Sequence, residues 1–371
     1  VLFNVVWIRD NETLHDYCQQ WQQLPFITLD TEFFRETTFY PIAGLIQLSD
    51  GKAPYLIDPL TITDWLPLAI LLQSKQVVKV LHACSEDLEL LYQLTGVITE
   101  PVFDTQIAAA FLNMGITLGY SSLIQQLLHK EVSKEEKRSD WLRRPLSHEQ
   151  EQYAAADVMY LIELYHYFDT HLSKQKQAWL FEDTLSLAKH YAEQSDYQNL
   201  YKSSRQAWRL SRQQLAVLRA LYAWREEEAI ARNLARGRLL KDNSLFMMAK
   251  YMPATIVSLA KTPELHPSVL RKEGEKLLSV IDKAAKSPPE TWPEQLQKAV
   301  SMNSSQFAKQ LKQKVFEQAE VLGICPELLW RKKIIEPLIA ADAGQQCEQF
   351  SDSLQGWRKH ILSNILVQTI S

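Results

Sequence analysis

"FITLDTEFF", residues 26–34, decides how the front of this chain folds. Five of its nine residues are Phe, Ile or Leu, so it reads as a buried β-strand. It also carries two acids, Asp30 and Glu32. Strand side chains alternate faces, so both carboxylates project from one face, a few ångströms apart. Two like charges on an apolar strand need a cation between them or a proton on one of them. A divalent ion is the simplest answer, because hard ions such as magnesium take carboxylate oxygens.

Around this stretch, short β-rich segments alternate with helical ones. "FNVVWI", "GLIQLS", "APYLID" and "VVKVLHA" read as further strands, while "SEDLELLYQLTG" and "SHEQEQYAAADVMYLIELYHYF" have helical spacing. Such alternation predicts an α/β domain with a mixed central sheet over residues 1–200. Beyond it the strand signal disappears. "SRQQLAVLRALYAWREEEAIAR", "NSLFMMAKYMP" and "HPSVLRKEGEKLLSVIDKAAK" predict a small helical domain over 201–289, and the proline-rich "SPPETWPEQ" reads as a linker. Residues 290–371 form a second helical unit on a weakly similar plan.

Composition is that of a water-soluble globular chain: 371 residues, 23% charged and 46% hydrophobic. The amino terminus looks like a first strand, with neither a signal peptide nor a membrane span, and no protein partner is implied. Four scattered cysteines lack zinc or disulfide spacing, which points to a reducing cytoplasm and to any metal being held by oxygen. Charge is uneven. Residues 1–200 hold 14 Lys and Arg against 27 Asp and Glu, whereas residues 201–287 hold 17 against 8. An acidic front and a basic middle suit a nuclease with a separate grip on nucleic acid, although surface variation produces similar splits.

Two further segments supply acids. In "VLHACSEDLELLY", Ser85 is a candidate N-cap with Glu86 and Asp87 in the first helical turn, where acids also simply complement the helix dipole. In "LSHEQEQYAAADVMYL", Ser147 and Gln150 make a capping box, so a helix starts at about His148. Tyr153 and Asp157 are then i and i+4 on one face, followed by Leu161 and Leu164. A charge on that packing face needs a partner. No Lys or Arg occurs from Gln150 to Ser173 to supply a local one.

Four carboxylates with a tyrosine one turn before the last resemble the Asp-Glu-Asp-Asp superfamily of 3′→5′ exonucleases, in its tyrosine subgroup. "LDTEF" matches at Asp30 and Glu32, "HACSEDLELL" at Asp87, and "YAAAD" at Tyr153 and Asp157. "TFYPIAGLIQLSD", "FDTQIAAAFL" and "RSDWLRRPLSHEQ" are similar to the ribonuclease D family within it, across nearly all of 1–200. Residues 201–289 resemble the helicase and ribonuclease D C-terminal (HRDC) domain, and 290–371 loosely resemble a second, divergent copy.

The resemblance implies a ribonuclease H-like exonuclease domain followed by two small all-α domains. It implies a 3′→5′ exoribonuclease that trims tRNA precursors and other structured RNA 3′ ends, releasing 5′-mononucleotides with two divalent ions, Mg2+ or Mn2+. Asp30 would bridge the ions, Glu32 and Asp157 would complete the nucleophile-side site, Asp87 would hold the second ion through water, and Tyr153 would orient the attacking water. A DNA exonuclease of the same superfamily and an inactive nucleic-acid-binding scaffold are the alternatives. Among neighbours, Asp104 reads as an N-cap, His82 as structural and Cys84 as inert packing. Phe33 or Phe34 is a candidate to stack on the terminal base, and Arg143 and Arg144 to hold phosphate.

Overall fold

The structure is a computed structural model, and it describes residues 2–132, 136, 139–193, 196–296, 306–332, 334–335 and 356–370. In chain order the first elements are β1 (Val6–Ile8), α1 (Asn11–Trp21), β2 (Phe26–Phe34), β3 (Ile42–Ser49), β4 (Pro54–Ile57), α2 (Leu66–Gln73), β5 (Val78–Leu81), α3 (Ser85–Thr95) and β6 (Val102–Asp104). Helices α4 (Thr105–Phe111), α5 (Tyr120–Leu128), α6 (His148–His171) and α7 (Lys174–Ala192) complete the α/β part. After them come α8 (Arg212–Ala231), α9 (Arg236–Leu239), α10 (Asp242–Tyr251), α11 (Ile256–Leu259), α12 (Pro267–Ala285), α13 (Gln306–Leu322) and α14 (Trp357–Ile370).

The six strands form one sheet in the order β1-β4-β3-β2-β5-β6. β2, β5 and β6 run parallel, as do β1 and β4, while β3 is antiparallel to β4, so the sheet is mixed as the alternation predicts. β2 lies at its centre, and its two faces feed different layers. Ile27 and Leu29 join α1, α2 and α3 in one apolar core. On the opposite face Thr28 donates its hydroxyl to the Val158 carbonyl of α6 at 2.8 Å. Strand β6 was not expected from sequence; three residues are too few to show alternation.

Helix ends follow the local chemistry. Ser147 and Gln150 close the expected capping box on α6, a contribution of about 1 kcal/mol, and Gly96 ends α3 at φ 71°. Ser85, by contrast, is the first residue of α3 rather than its cap, and its hydroxyl bonds Tyr191 at 2.8 Å. Helix α3 has no side-chain cap; the Asp104 carboxylate caps α4 through Gln106 and Ile107 and also accepts from the amides of Ala83 and Cys84 in the turn before α3.

The chain divides into two compact units. One contains the described residues of Val1–Phe34, Ala43–Glu193 and Ala299–Ser371; the other contains those of Arg35–Ile42 and Gln194–Lys298. These units cut across the sequence divisions 1–200, 201–289 and 290–371. Within the first unit, Trp357 stacks on Trp179 at 4.6 Å and Arg358 forks onto Asp183 at 2.5 and 2.7 Å, fastening α14 to α7. The second unit is helical, cored by Leu215, Leu218 and Leu221 of α8 with Leu245 and Met248 of α10 and Leu277 and Ile281 of α12. Among the described residues, no helix is long and apolar enough to cross a membrane.

Candidate active site

Asp30, Glu32, Asp87, Tyr153 and Asp157 line one cavity of about 440 Å3, together with Phe33, His82, Gln106 and Tyr120. Alternation along β2 turns Asp30 and Glu32 towards α6, which presents Asp157. Ligand oxygens of Asp30, Glu32 and Asp157 all lie within 4.8 Å of one another. Asp87 arrives from the other layer, on the first turn of α3. The Thr31 hydroxyl, on the opposite side of β2 from its two acidic neighbours, donates to Asp87 at 2.5 Å. Thr31 therefore holds the fourth acid at the cavity, a role sequence pattern does not reveal.

These acids are costly to bring together. Burial, then the charges of Asp87, Asp157 and Glu32, push the Asp30 carboxyl well above the ordinary carboxylate range. Burial pushes Asp87 up to about 7, against the lowering effect of its Thr31 hydrogen bond. No Lys or Arg is among the described residues lining the cavity. A convergent, all-oxygen donor set with raised carboxyl groups is the chemistry that hard divalent cations relieve, so the residues fit such ions.

Tyr153 lies one turn before Asp157 and its hydroxyl is hydrogen-bonded to that carboxylate. Burial and the surrounding acids raise its own pKa, so it stays a neutral donor at any working pH. Trp141 packs against its ring with centroids 6.0 Å apart. Tyr120, a second tyrosine that the sequence does not single out, donates to the carbonyls of Asp157 and Ala156 at 2.6 and 3.1 Å. It braces the α6 backbone where Asp157 leaves it.

The remaining candidates sort by geometry. Phe33 lines the cavity. Arg143 is exposed. Arg144 is engaged within the fold: its guanidinium forks onto Asp58 at 2.6 and 2.7 Å and donates to the carbonyls of Gly44 and Trp141. His82 bonds Thr105 through Nδ1 at 2.9 Å. Cys84 is fully buried and its thiol is pushed well up by burial, so it is not a nucleophile.

Comparison with known proteins agrees with this geometry. A 3′-5′ exonuclease family model matches residues 5–173 and an HRDC domain model matches 214–281. The chain is 43% identical to ribonuclease D of Pseudomonas paraeruginosa over 366 residues, covering 99% of this chain and 97% of that protein. The chain belongs to the ribonuclease D family. It is 33% identical to the Escherichia coli K12 member over 368 residues, covering 98% and 97% of the two chains. The crystal structure of Escherichia coli RNase D, described as an exoribonuclease involved in structured RNA processing, superposes with a TM-score of 0.83 at 31% identity, covering 98% of this chain and 99% of that one. The chain is thus a 3′→5′ exoribonuclease with a ribonuclease H-like exonuclease fold and a helical HRDC domain, and its superfamily depends on metal.

Proposed function

We propose that the chain trims the 3′ ends of structured RNAs, tRNA precursors among them, one 5′-mononucleotide at a time, and that Asp30, Glu32, Asp87 and Asp157 hold two divalent ions for this hydrolysis. The observation that carries the proposal is the convergence of Asp30, Glu32 and Asp157 oxygens within 4.8 Å, in the cavity that also receives Asp87. Asp30, whose carboxyl feels the charges of Asp87, Asp157 and Glu32, would be shared between the ions, with Glu32 and Asp157 holding the nucleophile-side ion and Asp87 the second. Magnesium or manganese bound there would lower the pKa of water and relieve charge on the departing 3′-oxygen.

The protein's own groups do the rest. Tyr153, neutral and hydrogen-bonded to Asp157, orients the attacking water rather than removing its proton. Phe33 offers a flat apolar surface for the terminal base, at the strand position after Glu32. Arg143, which is exposed, would meet phosphate, whereas Arg144 holds the loop before α6 in place.

The basic segment within 201–289 grips the RNA body through its phosphates. We keep 1–200, 201–289 and 290–371 as sequence modules, the last a divergent HRDC-like copy, and place the protein in the cytoplasm. Matched RNA and DNA strands, each incubated with Mg2+ or Mn2+ and analysed for released nucleotides, test the proposal. Release of 5′-mononucleotides from RNA with preference over DNA supports it. Equal or faster cleavage of DNA assigns the substrate to the other class.

A further inference from the structure

Among the described residues lining the active-site cavity, Gln106 carries the one side-chain amide. Most other polar groups there already have tasks. Four of the acids are the candidate ion ligands, Thr31 donates to Asp87, and Tyr120 donates to the carbonyls of Asp157 and Ala156. Tyr153 bonds the Asp157 carboxylate and His82 bonds Thr105. Glu86, also at the cavity, is exposed and, once ionised, only accepts.

Gln106 is held at both ends. Its backbone amide donates to Asp104 Oδ1 at 2.8 Å, and its side-chain nitrogen donates to the Leu118 carbonyl at 3.2 Å. The same Asp104 carboxylate accepts from Ala83 and Cys84 in the turn that leads into α3, the helix of Asp87, so one carboxylate ties Gln106 and the fourth acid to a common frame. A side-chain amide offers two N–H donors and a carbonyl oxygen. Among the described residues the bond to Leu118 is the one this amide makes, so its oxygen and second N–H remain for substrate.

A ribose 2′-hydroxyl both donates and accepts, and it is the group by which a protein tells RNA from DNA. A neutral amide meets both needs without adding charge to the cavity. A further acid would raise the neighbouring carboxyls again, and a lysine would compete with ions for the carboxylates. We propose that Gln106 selects ribose over deoxyribose at the RNA 3′ end, its side-chain amide bonding the 2′-hydroxyl of one of the last two nucleotides. This rests on the exonuclease reading of the cavity and assigns the sugar that the site prefers.

The test uses the full chain, saturating Mn2+ and 5′-labelled RNA hexanucleotides with ribose throughout or with 2′-deoxyribose at the last or the last-but-one position. For wild type, one of the two deoxy substitutions is expected to lower kcat/KM about tenfold, the contribution of one good hydrogen bond. Gln106→Met keeps the length of the side chain and removes the amide. It should cut the all-ribose hexanucleotide about tenfold more slowly than wild type, and lose no more when the sensitive sugar is replaced. Were the Leu118 bond all that matters, the variant would slow on every hexanucleotide alike and keep the wild-type ratio. That result overturns the inference, as does a wild type indifferent to both sugars. Should Gln106→Met be too unstable, Gln106→Leu must erase the same ratio. A wild type that shortens none of the hexanucleotides would instead overturn the exonuclease reading itself.

Discussion

The Thr31 hydroxyl reaches through to Asp87 at 2.5 Å, so the one β2 side chain between Asp30 and Glu32 serves the acid that arrives from the other layer. Removing it should loosen Asp87 and raise its carboxyl further, since that hydrogen bond lowers the pKa. Thr31→Val, nearly isosteric, is expected to weaken divalent-ion activation roughly 10-fold, within the range for partners that orient metal ligands. Thr31→Ser should restore most of it. Titrating activity against Mn2+ for the three proteins checks this; identical activation curves would contradict it.

Raised carboxyl groups fix a pH dependence for the metal-free protein. Asp30 and Asp87 hold protons in the folded chain where the unfolded chain has lost them. The contribution of Asp87 to stability is therefore complete below about pH 4 and disappears as pH rises through about 7, and that of Asp30 is lost in the same direction as pH rises. Metal-free Asp87→Asn should gain stability relative to wild type between pH 5 and pH 8, when wild type acquires the charge. Adding Mg2+ should raise the wild-type melting temperature more at pH 8 than at pH 5, because ions bind the deprotonated acids. Thermal melts at both pH values, with and without Mg2+, measure both effects.

Tyr153 stays protonated because burial and its acidic neighbours raise its pKa. Tyr153→Phe is expected to lower kcat by roughly 10- to 100-fold while leaving RNA affinity unchanged, in keeping with loss of one positioned hydrogen bond at the reacting water. The wild-type pH–rate profile should show no limb assignable to tyrosine, so the ratio of the two enzymes should be flat between pH 7 and pH 9. A ratio that changes steeply across that interval would make Tyr153 the titrating base.

Arg144 and Asp58 form a paired fork with Asp58 only 2% exposed. Arg144→Ala leaves that acid buried without its partner and should cost about 3 kcal/mol in urea unfolding. Arg143→Ala, at an exposed position, should cost little stability and instead weaken RNA binding. Reversal of these two outcomes would exchange the roles of the neighbours.

Exposed Arg271 and Lys272 lie on α12 of the helical unit. Reversing both to Glu should weaken binding of long RNA and flatten the dependence of log K on log salt by roughly 0.7 to 0.9 per lost phosphate contact. An unchanged slope would remove RNA gripping from this surface.

The placement of four principal site residues was legible because each follows a local rule, whereas Asp87, whose first-turn position also suits the helix dipole, was singled out only by the family resemblance. The period of two pairs Asp30 with Glu32, the capping box sets where α6 begins, and i,i+4 spacing then places Tyr153 beside Asp157. Thr31, Tyr120 and the engagement of Arg144 were not legible, because each depends on a partner 36 to 86 residues away in sequence. The same holds for residues 35–42: nothing local announces that Asn233, almost 200 residues further on, accepts from the amides of Phe39 and Tyr40. Asp104 was recognised as a cap, but its reach to Ala83 and Cys84 required the pairing of β5 with β6.

The central claim is that the cluster of Asp30, Glu32, Asp87 and Asp157 cuts RNA from its 3′ end with divalent ions. It is tested most directly with a 5′-labelled tRNA bearing a short 3′ extension, incubated with the full chain and Mg2+ or Mn2+, alongside Asp157→Ala and a chelator. The account predicts a ladder shortening one nucleotide at a time from the 3′ end, absent in both controls although Asp157→Ala still binds the RNA. Shortening that persists in Asp157→Ala or in chelator, or RNA that is bound but never shortened with either ion, would contradict it.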